Sequence, residues 1–148
     1  MRFESMHLTN YRCHANLQVD FQPGFNVIVG VNGSGKTALL TALCDALTGF
    51  SNYLSLANGN YDALSNPNVA RLKGEAIHGR YRFEPQYPVQ VSAIAEAFEP
   101  ASVCNWTVEK TSQVDHPQIA GTSPGEIWRS KQQAGGQQGE AIHSRMAL

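Results

Sequence analysis

The sequence predicts an α/β fold organised around one phosphate-binding loop between a buried strand and a helix. Residues 30–37, Gly-Val-Asn-Gly-Ser-Gly-Lys-Thr, match the pattern G-x-x-x-x-G-K-[ST] at every fixed position. Residues 25–29 before the loop are mostly apolar and β-branched, which indicates a strand buried on both faces. Residues 36–47 after it hold no glycine or proline, and their apolar side chains recur at helical spacing, with Gly49 as the expected helix end. A phosphate loop requires this order of strand, loop and helix.

The residue types in this loop suit a triphosphate and its metal ion. Glycines have no Cβ, so backbone N–H groups can turn inward and approach crowded phosphate oxygens. Lys36 is the candidate catalytic residue because it brings a positive charge to the β- and γ-phosphates, and the Thr37 hydroxyl is the candidate Mg²⁺ ligand. The helix points its positive end at the same place. With ATP and Mg²⁺ as cofactors, the predicted nucleotide-binding residues here are Gly30, Val31, Asn32, Gly33, Ser34, Gly35, Lys36, Thr37 and Ala38.

Composition and charge limit the classes of protein to which this chain can belong. The 148 residues suffice for one domain with a core, and the hydrophobic share of 42% is typical of a soluble globular protein. The formal net charge of −1 creates no strong field toward nucleic acid or membranes, and the chain lacks the run of about eighteen apolar residues that a membrane span needs. Cys13, Cys44 and Cys104 form no C-x-x-C pair, which favours free thiols in a reducing compartment. We therefore expect a cytoplasmic protein with no membrane partner.

Two strands are predicted ahead of the buried strand. Residues 2–9 form the first, and residues 17–21 alternate between apolar and polar side chains, as in a strand with one wet face. Residues 10–14 connect the two, and Pro23-Gly24 turns the chain into the buried strand. The predicted opening is therefore a strand pair that feeds a core strand.

Beyond the helix, the sequence predicts a loop region and then more strands. Residues 51–74 are rich in Asn, Ser and Gly, and we interpret them as a solvated surface excursion in preference to a loop at the nucleotide. Residues 75–84 indicate one strand, and apolar and polar side chains alternate over 89–98 and again over 104–109. Because alternation carried by alanine is a weak signal, a helix over 92–98 stays open.

The last part of the chain differs in composition from the rest. Residues 1–110 form the predicted ATPase core, and residues 111–148 form a polar extension that is partly helical or mobile. Within the extension, residues 123–126, Ser-Pro-Gly-Glu, have the spacing of a capping box with proline at the first helical position, which predicts a helix over 124–133. The Gln- and Gly-rich residues 132–139 are low in complexity, which predicts mobility.

The first third of the chain carries a family resemblance. Its order is a strand ending in Asn-Tyr-Arg at 10–12, a second strand ending in Phe21, and a loop of the form Asn-Gly-Ser-Gly-Lys. This order over residues 1–50 resembles the N-terminal part of the ABC-type ATPases of the SMC, RecF and OLD group, whose first strand often ends in Asn-Phe-Arg or a similar triplet. The rest is more loosely similar to predicted AAA-type ATP-binding proteins of bacteria. The resemblance implies the N-terminal portion of an α/β P-loop NTPase of the ABC head type, with an antiparallel β-subdomain beside the loop's strand and helix.

The resemblance also implies a role and further site residues. Arg12 of the triplet would lie near the bound nucleotide and touch phosphate, and Tyr11 would pack beside the base or in the core. In the intact protein, two heads would sandwich two ATP molecules, so a homodimer that hydrolyses ATP is implied. ATP binding would close the dimer and hydrolysis would open it, a switch read by DNA or by a partner effector protein in DNA repair or phage defence.

An ATPase of this group needs parts that the sequence does not contain. No apolar strand ends in Asp-Glu, where Asp would hold Mg²⁺ and Glu would activate water, and no Leu-Ser-Gly-Gly-Gln signature segment occurs. Gly135-Gly136-Gln137 echoes only part of that signature and is rejected. No glutamine can be assigned to the end of a core strand. We therefore expect these residues to be the N-terminal piece of a longer protein, able to bind nucleotide but slow to turn it over.

Other functions stay open on sequence alone. A phosphate-loop kinase of a small molecule would need an arginine-rich lid and an acceptor Asp, which residues 51–74 do not show in clear form. A non-catalytic ATP-binding interaction module would fit the missing Asp-Glu strand, whereas a GTPase is disfavoured because no Asn-Lys-x-Asp motif occurs. None of the five histidines has metal-ligand spacing. A basic cluster with interleaved aromatics is interpreted as a solvated strand face in preference to a nucleic-acid contact: Arg71, Lys73, Arg80, Tyr81, Arg82 and Phe83.

Overall fold

The computed structural model describes residues 2–54, 63–96, 103–127 and 130. In chain order its elements are β1 (Arg2–Tyr11), β2 (His14–Asp20), α1 (Lys36–Leu54), β3 (Leu72–Ile77), β4 (Arg80–Pro85), β5 (Val89–Glu96), β6 (Val103–Lys110) and β7 (Gln118–Thr122). Five of the strands form an antiparallel sheet in the order β2-β1-β5-β6-β7, and β3 pairs with β4 in a separate hairpin. No helix in the described part of the chain is long and apolar enough to cross a membrane.

The strands with clear alternation form as predicted. The opening strand pair is β1 and β2, although its connector shrinks to two residues because both strands extend further than expected. Along β5, residues Val89, Val91, Ala93 and Ala95 are buried, while the residues between them are half-buried. The alternative helix over 92–98 is therefore wrong as far as Glu96, where the described part of β5 ends. The predicted strand at 104–109 is confirmed as β6.

Small residues on α1 allow the helix to lie close to the sheet. Ala42 and Ala46 are fully buried, and the Trp106 indole N–H of β6 donates to the Ala46 carbonyl oxygen over 3.0 Å. A buried indole is a large apolar surface that also needs a partner for its N–H, and both needs are met here. The contact fixes α1, and with it the loop at its N-terminus, against the sheet.

The helix runs past its predicted end. The α1 helix continues through Gly49 to Leu54. A glycine inside a helix costs only about 1 kcal/mol relative to alanine, and the sequence places no proline before Pro67 that would force an end. Gly49 was thus a weak stop signal on its own.

The prediction of a buried strand at 25–29 is wrong. These residues are assigned to no strand, and Phe25 and Val29 are 90% and 87% exposed. A strand buried on both faces requires neighbouring strands at its edges and packed layers above and below it. None of the described strands pairs with residues 25–29, so the apolar pattern is present without the neighbours that would make it a core strand.

The prediction of a solvated surface excursion at 51–74 is also wrong for the second half of that range. Ala63, Leu64, Val69 and Ala70 are buried in the core. Backbone hydrogen bonds tie residues 63–71, which we call the return segment, to the end of β1: the Arg12 N–H donates to the Val69 carbonyl oxygen over 2.7 Å. Residues 55–62 lie outside the described part of the chain.

The single strand predicted at 75–84 is instead a hairpin. The turn between β3 and β4 consists of His78 and Gly79, with φ values of 50° and 74°. Two successive residues in the left-handed region form the tight turn that matches the twist of two antiparallel strands. The His-Gly pair inside an otherwise strand-like run was therefore the missed turn signal.

The polar extension contains one strand that the sequence did not predict. Residues Gln118–Thr122 form β7 at the edge of the main sheet, all exposed, and thus show no alternation of burial. The predicted capping box is confirmed: the Ser123 N–H donates to Glu126 Oε2 over 3.2 Å, and the Glu126 N–H donates to Ser123 Oγ over 3.4 Å. Most of the predicted helix beyond residue 127, and the Gln- and Gly-rich stretch at 132–139, lie outside the described residues.

Candidate functional site

The phosphate-binding pattern at 30–37 forms a tight loop with left-handed glycines. Gly33 and Gly35 have φ values of 84° and 90°, a region that side-chain-bearing residues rarely adopt. The Ser34 N–H closes a turn on the Val31 carbonyl oxygen over 3.2 Å. At Gly35 an added Cβ would also overlap Cys13 and His14, so only glycine suits the position.

Lys36 closes over this loop from the start of α1. Its ammonium Nζ donates to the carbonyl oxygens of Gly30 and Val31, over 2.7 and 2.8 Å respectively. The positive charge is thereby held at the centre of the loop. An anion with stronger acceptor oxygens can take over these hydrogen bonds, because charge-assisted bonds to ionised oxygens are stronger than those to neutral carbonyls.

A concave surface of about 300 Å³ lies on the loop, lined by Asn32, Gly33, Gly35, Lys36 and Thr37. Thr37 is exposed, so its hydroxyl is accessible to a ligand or metal ion. Ala38 is buried beneath the first helical turn and could contribute only its backbone. The lining holds one cation, one hydroxyl and no carboxylate, a donor set that fits phosphate oxygens with a hard cation such as Mg²⁺.

The turn between β1 and β2 lies directly against this loop. It consists of Arg12 and Cys13, and Arg12 has a φ of 50°. Beside it, His14 Nε2 lies 3.5 Å from the Gly35 carbonyl oxygen. Arg12 is far from the loop in sequence, but the structure places its turn beside the loop.

Arg12 faces a second cavity of about 440 Å³, which we call the Arg12 cavity. Its guanidinium carbon lies 5.9 Å from the centre of the Tyr11 ring. The Arg12 Nε atom is buried and has no hydrogen-bond partner among the described residues. The cavity is lined by Arg12, Pro67, Asn68, Ala70, Leu72 and Pro85.

Sequence reasoning missed most of the lining of this cavity. Pro67, Asn68 and Ala70 belong to the return segment, whose Asn-rich composition indicated a solvated loop. The available signal was the apolar pair Val69-Ala70 inside that polar stretch, which marks a short segment with buried side chains. Such a pair is too short to set a periodicity, so it could not be placed without the fold.

A buried polar pair lies behind the Arg12 cavity. The Tyr11 hydroxyl donates to Asp45 Oδ2 over 2.6 Å, and both residues are buried. Tyr11 therefore packs in the core, one of the two positions that the sequence left open. Burial disfavours the phenolate and the Asp45 carboxylate disfavours it further, so the pKa of Tyr11 is raised well above its usual value. The hydroxyl consequently remains a hydrogen-bond donor.

The basic cluster on the β3–β4 hairpin is solvated and partly neutralised. Lys73 Nζ lies 3.3 Å from Glu75 Oε1, and Arg82 Nε lies 3.1 Å from Glu84 Oε1. The strand register places these charged residues on the face of the hairpin opposite to Tyr81 and Phe83. Cations and aromatic rings thus do not form one shared surface, as a groove for single-stranded nucleic acid would require.

The sequence of this chain is similar to a known domain family and to known proteins. The family model described as an AAA domain matches residues 5–134. Structural maintenance of chromosomes protein 6B of Arabidopsis thaliana is 60% identical over 37 residues, which are 25% of this chain and 4% of that protein. DNA replication and repair protein RecF of Heliobacterium modesticaldum is 46% identical over 43 residues, which are 29% of this chain and 12% of that protein.

A solved structure shares the fold. It comes from work on ATP-driven dimerization and DNA stimulated activation of SMC ATPases, and it aligns with a TM-score of 0.56 at 17% identity. The alignment covers 82% of this chain and 69% of that one. The described chain therefore has the fold of an SMC-type ATPase head, while it spans only a small share of the length of the curated relatives.

Proposed function

Since this chain belongs to the AAA domain family, as an N-terminal SMC/RecF-like portion of an ABC-type ATPase head, we propose that it binds ATP together with Mg²⁺. One observation carries the proposal. Lys36 holds its ammonium group over a loop of left-handed glycines, against two carbonyl oxygens that phosphate oxygens can replace. A bound triphosphate would receive this charge together with the backbone N–H groups of residues 33–37.

The two cavities suggest how ATP would be oriented, with its phosphates in one cavity and its nucleoside in the other. The triphosphate would occupy the surface on the loop, and Thr37 would hold Mg²⁺, which neutralises charge on phosphate oxygens when bound. The nucleoside would lie in the Arg12 cavity, where the guanidinium group of Arg12 can bind an oxygen or ring nitrogen. The turn at residues 12–13 contributes Arg12 to one cavity and lies with Cys13 near Gly35 of the other, so the two cavities are close enough to support one ligand across both.

Hydrolysis needs groups that the described site does not supply. No carboxylate lines the surface on the loop, so no described residue there can activate a water molecule as a general base. We propose that hydrolysis takes place in the intact protein, where two heads close over ATP as a homodimer and act in DNA repair. The RecF relative is a DNA replication and repair protein, and the related structure comes from work on ATP-driven dimerization and DNA stimulated activation of SMC ATPases; both support this proposal.

The test of ATP binding is a comparison of two lysine variants. Lys36→Ala removes the charge on the loop, and we expect the affinity for Mg²⁺-ATP to fall at least about tenfold, since charge-assisted bonds to phosphate are among the strong ones. The matched control is Lys73→Ala, which removes an exposed lysine of the hairpin. Isothermal titration calorimetry on the 148-residue chain measures both.

The control should bind Mg²⁺-ATP as the unaltered chain does. Equal affinities for Lys36→Ala and Lys73→Ala would contradict the proposed role of the loop. Transfer of phosphate from ATP to a small metabolite would instead favour the kinase alternative.

A further inference from the structure

Asp45 in α1 bonds to both of the chain segments that supply Arg12 and residues 67–70 to the lining of the Arg12 cavity. Its Oδ2 atom accepts the hydrogen bond from the hydroxyl of Tyr11, the residue before Arg12. Its Oδ1 atom accepts a hydrogen bond from the Leu64 N–H over 3.3 Å, at the start of the return segment that lines the opposite wall. Asp45 is only 4% exposed, so these bonds form away from water, where electrostatic interactions are strong.

The return segment is held at Leu64 from two directions. Leu64 has a φ of 55°, which is unfavourable for a branched apolar residue and has to be held by its surroundings. Asp45 holds its N–H, and the buried Lys110 donates from Nζ to its carbonyl oxygen over 3.4 Å. The chain then leads from Leu64 to the cavity residues at 67–70.

The other wall is held through Tyr11. The Tyr11 ring is fully buried and lies against the Arg12 guanidinium. The Arg12 N–H also bonds the Val69 carbonyl oxygen, which joins the two walls directly. A shift of the Tyr11 ring would therefore move Arg12 relative to the residues that it faces.

We propose that Tyr11 and Asp45 are positioning residues that set the width of the Arg12 cavity, and through it the affinity for the nucleoside part of ATP. The inference rests on the proposed ATP binding. The hydrogen bonds of Asp45 to Tyr11 and Leu64 lead to the two segments that line the Arg12 cavity, so we expect the pair to act on the nucleoside half of the ligand. A ligand with phosphates and no nucleoside separates this role from a general loss of structure.

The experiment compares ATP with inorganic tripolyphosphate, both with Mg²⁺, on the 148-residue chain. Tyr11→Phe keeps the buried ring and removes the hydroxyl, which leaves the Asp45 Oδ2 atom without its partner from Tyr11. We expect affinity for ATP to fall about tenfold, because Tyr11 would lose the bond that holds its ring, and with it Arg12, in place beside the cavity. Affinity for tripolyphosphate should stay within about twofold, as for sites that do not share partners. Asp45→Asn should act in the same direction and carries the test if Tyr11→Phe does not fold.

The matched control is Trp106→Phe, which removes another buried hydrogen bond to α1 at a residue that is not among those lining the cavity. It should lower the midpoint of thermal unfolding and leave the ratio of the two affinities unchanged. An unchanged ratio in Tyr11→Phe and in Asp45→Asn, with ATP still bound by the unaltered chain, would overturn this inference alone. Failure of the unaltered chain to bind ATP would overturn the proposed function and this inference with it.

Discussion

At the scale of single residues, the candidate site contains two cations, Arg12 in the turn between β1 and β2 and Lys36 in the neighbouring phosphate loop. The Lys36 ammonium group donates hydrogen bonds to two carbonyl oxygens. Arg12, by contrast, has a buried Nε donor without a partner among the described residues. Unpaired buried donors cost free energy and are rare in folded proteins, so a ligand gains affinity if its binding moves the Arg12 side chain and pairs this donor. Arg12 is for this reason the better probe of the second cavity.

Arg12→Ala should weaken Mg²⁺-ATP binding about tenfold, because a charged hydrogen-bond donor to the ligand is lost. Arg80→Ala is the control, since Arg80 lies beside the turn of the exposed hairpin and away from both cavities. Competition with a fluorescent ATP analogue measures the two variants side by side. Nucleotide affinity of Arg12→Ala equal to that of the unaltered chain would remove Arg12 from the site.

At the scale of elements, local signals were predictable and long-range ones were not. The loop, the start of α1, the alternation of β5 and the capping box at Ser123 each depend on neighbours in sequence, and each forms as predicted. The exposed segment at 25–29 and the strand β7 depend on partners far along the chain. A residue pattern cannot say whether such partners are present, because register and burial are properties of the sheet.

The candidate site shows the same division. Residues 30–37 could be identified from their pattern, since the loop's conformation follows from its glycines and lysine. The Arg12 cavity could not, because its walls come from the end of β1 and from the return segment, which only the fold brings together. Asp45 was missed as well, since a single acidic residue on a helix gives no hint that it bonds Tyr11 across the core.

Two valine substitutions of equal size test the correction at 25–29. Val29→Ser should change the free energy of unfolding of the 148-residue chain by less than about 0.5 kcal/mol, as for an exposed site. Val91→Ser in β5 should cost about 3 kcal/mol, because Val91 is fully buried and a hydroxyl would be buried with it. Urea denaturation measures both. A cost at Val29 as large as that at Val91 would contradict the exposed state of this segment.

At the scale of the whole molecule, the sheet and α1 form one frame for the two candidate binding surfaces. Trp106 fixes α1 to the sheet, α1 carries the loop at its start, and Asp45 within the same helix holds the walls of the Arg12 cavity. One apolar side stays open: Ile28, Leu40 and Leu43 share a cavity of about 350 Å³ with Phe3 and Phe21.

The central claim is that one ATP molecule spans the loop and the Arg12 cavity, and a crystal structure with a non-hydrolysable ATP analogue and Mg²⁺ tests it most directly. We predict that Lys36 Nζ leaves the carbonyl oxygens of Gly30 and Val31 and bonds the β- and γ-phosphates, with Thr37 on the metal ion and the base beside Arg12. An analogue bound elsewhere, with Lys36 still on its two carbonyl oxygens, would contradict the account.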